Sequence, residues 1–197
     1  YLQDNELSTD KVRLNQYRPL DDWKRLHANK SVGAGWRYTF GAFAVLGETV
    51  LPGRVFGNDH FNPYTNTIHL YSNVPALAFH EAGHSKDYAQ RYRKGTYAAS
   101  YSLPFVPLYQ EAIATNDAMS YVMSTRDLQS QQEAYEILYP AYGTYVGNSI
   151  SGVVPSGYFV GLIGGHIAGQ WKSRELAASH DAERQVFLHT RQSSASV

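Results

Sequence analysis

The chain contains no cysteine. That excludes disulfides, thiolate metal sites and a cysteine nucleophile, and it leaves histidine and carboxylates to hold any transition metal. It has no excess of charge either, with 17 basic against 17 acidic side chains and a formal net charge of zero. A nucleic-acid partner favours a basic surface, so electrostatics gives no support to one. Charged residues are scarce, at 17%. An uninterrupted apolar run is also missing at 33–57, where Glu48, Pro52 and Arg54 break a stretch too short to span a membrane. The first residue is Tyr1 rather than Met, and no signal peptide can be read. The compartment stays open, with export or membrane association slightly favoured over the cytoplasm.

What is present is enough for a folded core. The chain has 197 residues, 43% of them hydrophobic, with 16 tyrosines and three tryptophans. Such amphipathic aromatics serve core and surface alike. Along 1–30, Leu14, Tyr17, Leu20, Trp23 and Leu26 recur every three residues and predict a helix around Pro19. The glycines of 33–57 predict strands and turns, and 58–65 a turn-rich loop. Thr67 to Tyr71 alternates β-branched and aromatic residues and predicts a strand. Ser72 and Asn73 offer capping oxygens before Pro75, and a helix is expected over 75–93, ended by Gly95. An aromatic loop follows at 96–107, then helices at 108–126 and 128–139, the latter stopped by Pro140. Residues 141–169 are glycine-rich and apolar, 170–185 helical, and the Ser-rich end at 192–197 is expected to be disordered.

The 75–93 helix carries His80-Glu81-Ala82-Gly83-His84, an HExxH motif. Residues four apart on a helix lie about 40° apart around the axis, so both imidazoles reach one ion from one face. Glu81 sits one step round, in reach of a water at that ion. Ala82 and Gly83 let a second helix or a substrate strand come close. A zinc site needs a third protein ligand and an open position. The extended form HExxHxxGxxH fails, because Asp87 and Gln90 occupy the required positions. Glu111, on the 108–126 helix, is the best candidate. Its helical neighbours Ala114, Thr115 and Ala118 form a small-residue face able to press on the motif helix. Asp87 is a candidate partner for an imidazole.

These residues resemble the glutamate-zincin (gluzincin) metallopeptidases, through His80, Glu81, His84 and the segment from Glu111 to Asp117. The resemblance covers roughly 66–125. It implies an α+β zincin-like fold, with a small mixed sheet packed on the active-site helix and a helical C-terminal half. On that reading 1–197 is a single zincin-like domain, with a sheet region at 33–74, a metal-binding helical region at 75–140 and a glycine-rich and C-terminal helical region at 141–197. The resemblance implies Zn2+ held by His80, His84 and Glu111, with Glu81 as the general base of a zinc-dependent peptidase acting on a peptide or protein segment. It departs from the family in one respect. Many members carry an aspartate three or four residues after the ligand glutamate, and here Ala114 and Thr115 stand there, with Asp117 well round the helix. Tyr97, Tyr101, His60 and His69 are candidate donors to a developing oxyanion. Strand 67–71 is expected at a sheet edge, where an extended peptide would add as a further strand.

Gly157, Gly161, Gly165 and Gly169 recur every four residues. On a helix they make a flat stripe for close backbone approach, a spacing typical of membrane helix pairs. Trp171, Lys172 and Arg174 follow like interfacial anchors, while Ser151, Pro155, Ser156 and His166 argue for a soluble packed helix. The sequence therefore carries two alternatives to a peptidase. One is a catalytically inactive zincin-like scaffold or subunit. The other is a membrane-associated assembly protein that uses the 157–169 stripe for a membrane or helix-packing partner.

Overall fold

The computed structural model describes residues 1–56, 59–125, 127–152 and 154–195. The fold is mixed α+β, mostly helical, with one three-stranded sheet. The elements run β1 (Lys11–Leu14), α1 (Pro19–Ala28), α2 (Ala34–Trp36), a π-helical turn (Arg37–Gly41), α3 (Ala42–Val50), α4 (Gly53–Phe56), β2 (His60–Asn62), β3 (Thr67–Leu70), α5 (Pro75–Ala89), α6 (Lys94–Ser100), α7 (Val106–Ser124), α8 (Leu128–Ile150) and α9 (Gly157–Ala195). The chain divides into two compact units, Tyr1–Tyr121 and Val122–Val197.

In the first unit the sheet order is β1-β3-β2, with β1 parallel and β2 antiparallel to β3. β3 is thus central, and Thr67, Ile68 and His69 are buried. The expected edge role of 67–71 does not hold, and no peptide strand can add to it, because both of its hydrogen-bonding sides are taken. The strand that displaces it, β1, alternates charged and apolar residues over only four positions. Its Arg13 is wholly buried and held by Asp21 and Asp22 of α1.

Residues 34–50 and 53–56 are helical where strands and turns were expected over 33–57, of which Gly57 lies outside the described residues, and the strands do not lie in a 33–74 sheet region alone. Trp36, Phe40, Phe43 and Val50 recur at helical spacing, and Gly41 between them is a packing site rather than a turn. A Cβ on Gly41 would stand 2.8 Å from Leu26 and 3.1 Å from Tyr64. Leu26, Val32, Val45, Tyr64 and Tyr88 make the core there, joined by Trp23, Phe61 and Tyr97.

β3 hands the chain to α5 without the expected Ser72–Asn73 cap. Val74 is the N-cap residue and no side chain caps the helix. The Asp59 carboxylate instead accepts the Tyr71 N–H at 2.6 Å and the Ser72 N–H at 3.0 Å, which fixes the exit from the strand. Pro75 then opens α5 at a position where its missing N–H costs nothing. α5 ends at Ala89, and Gly95 lies inside α6, so part of the expected 96–107 loop is helical.

In the second unit α8 and α9 pair as a helical hairpin. Asp127 caps α8 by accepting the Gln129 N–H at 3.2 Å. α8 runs through Pro140 to Ile150 instead of stopping there. A proline inside a helix loses one backbone bond and costs about 3 kcal/mol, so packing along the hairpin must offset it. The glycine stripe supplies that packing. A Cβ on Gly161 would lie 2.0 Å from the Gly143 carbonyl oxygen, and one on Gly165 or Gly169 would lie 2.5 or 2.4 Å from the Tyr139 or Tyr135 carbonyl. The stripe faces α8 of the same chain. Among the described residues no helix is long and apolar enough to cross a membrane. α9 continues to Ala195, so part of the 192–197 tail is helical, and 196–197 lie outside the described residues.

Candidate metal centre

α5 sets His80 and His84 on one face, with ring centroids 4.7 Å apart and the rings nearly perpendicular. α7 brings Glu111 to them. What lets α7 come so close is the pair of small surfaces noted in the sequence: Gly83 lies against Ala114, and Ala114 and Ala118 are fully buried. The HExxH helix and the small-residue face of the Glu111 helix therefore meet as expected.

The donor atoms of the three residues crowd together, with a different Glu111 oxygen facing each imidazole. His80 Nε2 is 3.2 Å from His84 Nε2 and 3.0 Å from Glu111 Oε2, and His84 Nε2 is 3.3 Å from Glu111 Oε1. Ligands about 2.0–2.1 Å from a tetrahedral ion stand about 3.3 Å from one another, so each of these separations suits a pair of ligands on one ion. The composition of the set, two imidazoles and a carboxylate, fits a borderline divalent ion.

The electrostatics of the cluster point the same way. Burial alone would raise the Glu111 carboxyl, but the bonds from His80 and His84 and their charge hold it well below the usual carboxylate range. Burial alone would lower His84, but its bond to Glu111 and the charges of Glu111, Glu81 and Asp87 raise it. Each shift reflects a carboxylate and an imidazole stabilising one another's charge. Glu81 is buried beside it. Desolvation raises its carboxyl, and His84 and His80 offset part of that rise.

Around the cluster, two residues take roles the sequence left open. The Thr115 hydroxyl lies 3.4 Å from His80 Nδ1, where the family pattern would place a carboxylate. An Nδ1–H donated to that hydroxyl leaves the Nε2 lone pair facing the centre. The Tyr101 hydroxyl donates to Glu111 Oε1 at 2.9 Å. Tyr101 lies in the short connection from α6 to α7, which also contains Phe105 at φ 65°, a left-handed conformation uncommon for a bulky residue. That backbone turn starts α7 in the direction that presents Glu111.

Other candidates are placed elsewhere. Asp87 does not touch an imidazole; it is bonded by Arg91 and by the Tyr97 hydroxyl. Tyr97 is thereby committed away from the centre. Asp117 is held by Lys86 and the Tyr1 hydroxyl. His60 and His69 stack on each other across the β2–β3 ladder and share the neighbourhood of Glu48. Burial pushes His69 down to about 4, so its ring is neutral at ordinary pH. Glu48 was not recognisable as a partner in the sequence because its helix was read as strand and turn. No family model, no curated protein and no solved structure matches this chain.

Proposed function

We propose that the protein is a zinc-dependent peptidase of gluzincin type, built on a small zincin-like unit. The observation that carries this reading is the His80–His84–Glu111 cluster, in which the two imidazole nitrogens are 3.2 Å apart and each faces one Glu111 oxygen, at 3.0 and 3.3 Å, separations that suit ligands of one ion. When bound, such an ion supplies a Lewis acid that acidifies water and polarises a scissile carbonyl. Glu81, adjacent in sequence to a ligand and raised by burial, accepts the proton of the attacking water and passes it to the leaving amine. Thr115 holds His80 in the tautomer that ligation needs. Tyr101 orients the Glu111 carboxylate by donating its phenol hydrogen to it. Leu103 and Phe105, exposed on the same connection, offer apolar surface to a flexible peptide.

Glu81→Gln is the decisive variant. It keeps the size and burial of the side chain and removes the base. The expected result is zinc retained at the wild-type level with peptide hydrolysis lowered by at least 100-fold, the scale of general-base catalysis. Unchanged hydrolysis in that variant would overturn the base assignment. Zinc bound by the wild type without hydrolysis of unstructured casein or a mixed peptide library would instead favour the inactive scaffold.

A further inference from the structure

A second cluster of two histidines and a carboxylate lies in the same unit and shares no residue with the first. His60 and His69 are direct cross-strand partners in the antiparallel ladder, so their rings point to the same side. The rings are stacked, with centroids 4.7 Å apart and planes 11° from parallel. Strand alternation puts Phe61 on the opposite side, where it meets Tyr88 of α5. Glu48 reaches the histidines from α3. Its Oε1 accepts from Asn62 Nδ2 at 2.7 Å and lies 2.9 Å from His60 Nε2. One donor atom from each of the three residues lies within 4.8 Å of the others.

A histidine–glutamate hydrogen bond explains His60 but not the rest. His69 is 3% exposed, and neither of its ring nitrogens has a hydrogen-bond partner. Glu48 Oε2 is also buried without a hydrogen bond, 3.9 Å from His69 Nε2. Buried polar atoms are normally satisfied. Here an unsatisfied imidazole and an unsatisfied carboxylate oxygen face each other across a gap too long for a hydrogen bond and suited to an atom between them. Two cations stand nearby and acidic side chains offset both, Arg25 facing Asp21, Asp22 and Asp10. Arg13, the neighbour of His69 across the β1–β3 ladder, is neutralised by Asp21 and Asp22. Asn62 cannot serve as a fourth ligand, because its Oδ1 accepts from the Tyr64 and Thr65 N–H groups and its Nδ2 donates to Glu48.

We propose that Glu48, His60 and His69 bind a second divalent cation of the zinc class, which ties α3 to the β2–β3 ladder. Two imidazole nitrogens select a borderline transition ion over calcium or magnesium, which prefer all-oxygen sites. Binding replaces the His60–Glu48 hydrogen bond, so a proton is released if it was held between them.

Zinc alone is the probe, followed by elemental analysis after dialysis of the full chain. In His84→Ala, which disables the first centre, one zinc per chain remains, and adding zinc to the stripped protein raises its melting temperature. Adding His69→Gln to that variant removes the remaining zinc. His60→Gln makes the same test at a partly exposed position, should the His69 change disturb folding. Zinc absent from His84→Ala, or held at one per chain by either double variant, overturns the second site. Zinc lost with His69 or His60 but unaffected by His84→Ala supports the second site and removes the first, so the two readings fail separately.

Discussion

Gly83 of α5 lies so close to Ala114 of α7 that a Cβ on it would stand 2.9 Å from the Ala114 carbonyl oxygen and 3.1 Å from its Cα. Both neighbours are backbone, which cannot rotate away. The contact joins the residue before His84 to the residue three after Glu111, so it sets how far the carboxylate stands from the imidazoles. Gly83→Ala is predicted to push α7 outward and open the cluster. Alanine gains about 1 kcal/mol of helix propensity over glycine, while overpacking costs about 1–3 kcal/mol, so the net stability change is small and unfavourable. The change in zinc affinity is the larger effect, a loss of at least ten-fold. Zinc titration beside a denaturant melt separates the two, and wild-type affinity in the variant would show that the spacing does not matter.

The Thr115 hydroxyl lies a long 3.4 Å from His80 Nδ1. Partners of this kind set the tautomer of a ligand histidine, and their removal costs about 10–100-fold in metal affinity. The long contact places this one at the lower end. Thr115→Val keeps the shape and is expected to weaken zinc binding about ten-fold, whereas Thr115→Ser restores it. An equal loss in both variants would mean that packing of the methyl group, not the hydroxyl, is what counts.

The readable part of this chain was the part where one residue type has one job. Histidines four apart, small residues at i+3 and i+7 from Glu111, and the alternation at 67–71 each led to the observed element. Glycine has two jobs, and that is where the reading failed. Gly41 was taken as a turn former, but its missing side chain makes room for Leu26 and Tyr64 inside a helical stretch. Misreading that helix also hid Glu48, and with it the environment of His60 and His69. The place of β3 at the centre of the sheet depended on β1, whose buried Arg13 looks like a surface charge until Asp21 and Asp22 are brought to it. Thr115 was visible as part of a small-residue face and as a departure from a pattern; its contact with His80 required the packing of two helices.

The hairpin of the second unit gives a paired test of the same ambiguity. A Cβ on Gly161 would fall 2.0 Å from the Gly143 carbonyl oxygen, but one on the nearby Gly164 meets nothing within 4 Å. The two glycines share a helix and differ only in face. Gly161→Ala must separate α8 from α9 and is predicted to lower stability by about 1–3 kcal/mol. Gly164→Ala adds helix propensity in open space and is predicted to raise it by about 0.5–1 kcal/mol. Thermal melts followed by circular dichroism read both. Stabilisation by Gly161→Ala would show that the two helices are not packed along this seam.

Tyr64, in the core with Leu26 and Val45, provides a pH prediction that involves no metal ligand. Burial pushes its phenol up to about 12 from an ordinary 10.0. Between those values the unfolded chain releases this proton while the folded chain keeps it. The folded state then binds more protons, so stability falls as pH rises. The contribution is fully present below pH 10 and is lost by about pH 12, with a span of about 2 kcal/mol at most. Burial also raises Tyr88 in the same core, so the alkaline loss is shared. Tyr64→Phe has no proton to release and keeps the ring. Its stability is predicted to decline less steeply than the wild type from pH 10 upward, with the two curves parallel below that. Denaturant melts at intervals of pH measure the slope, and identical slopes above pH 10 would place the Tyr64 hydroxyl in contact with water.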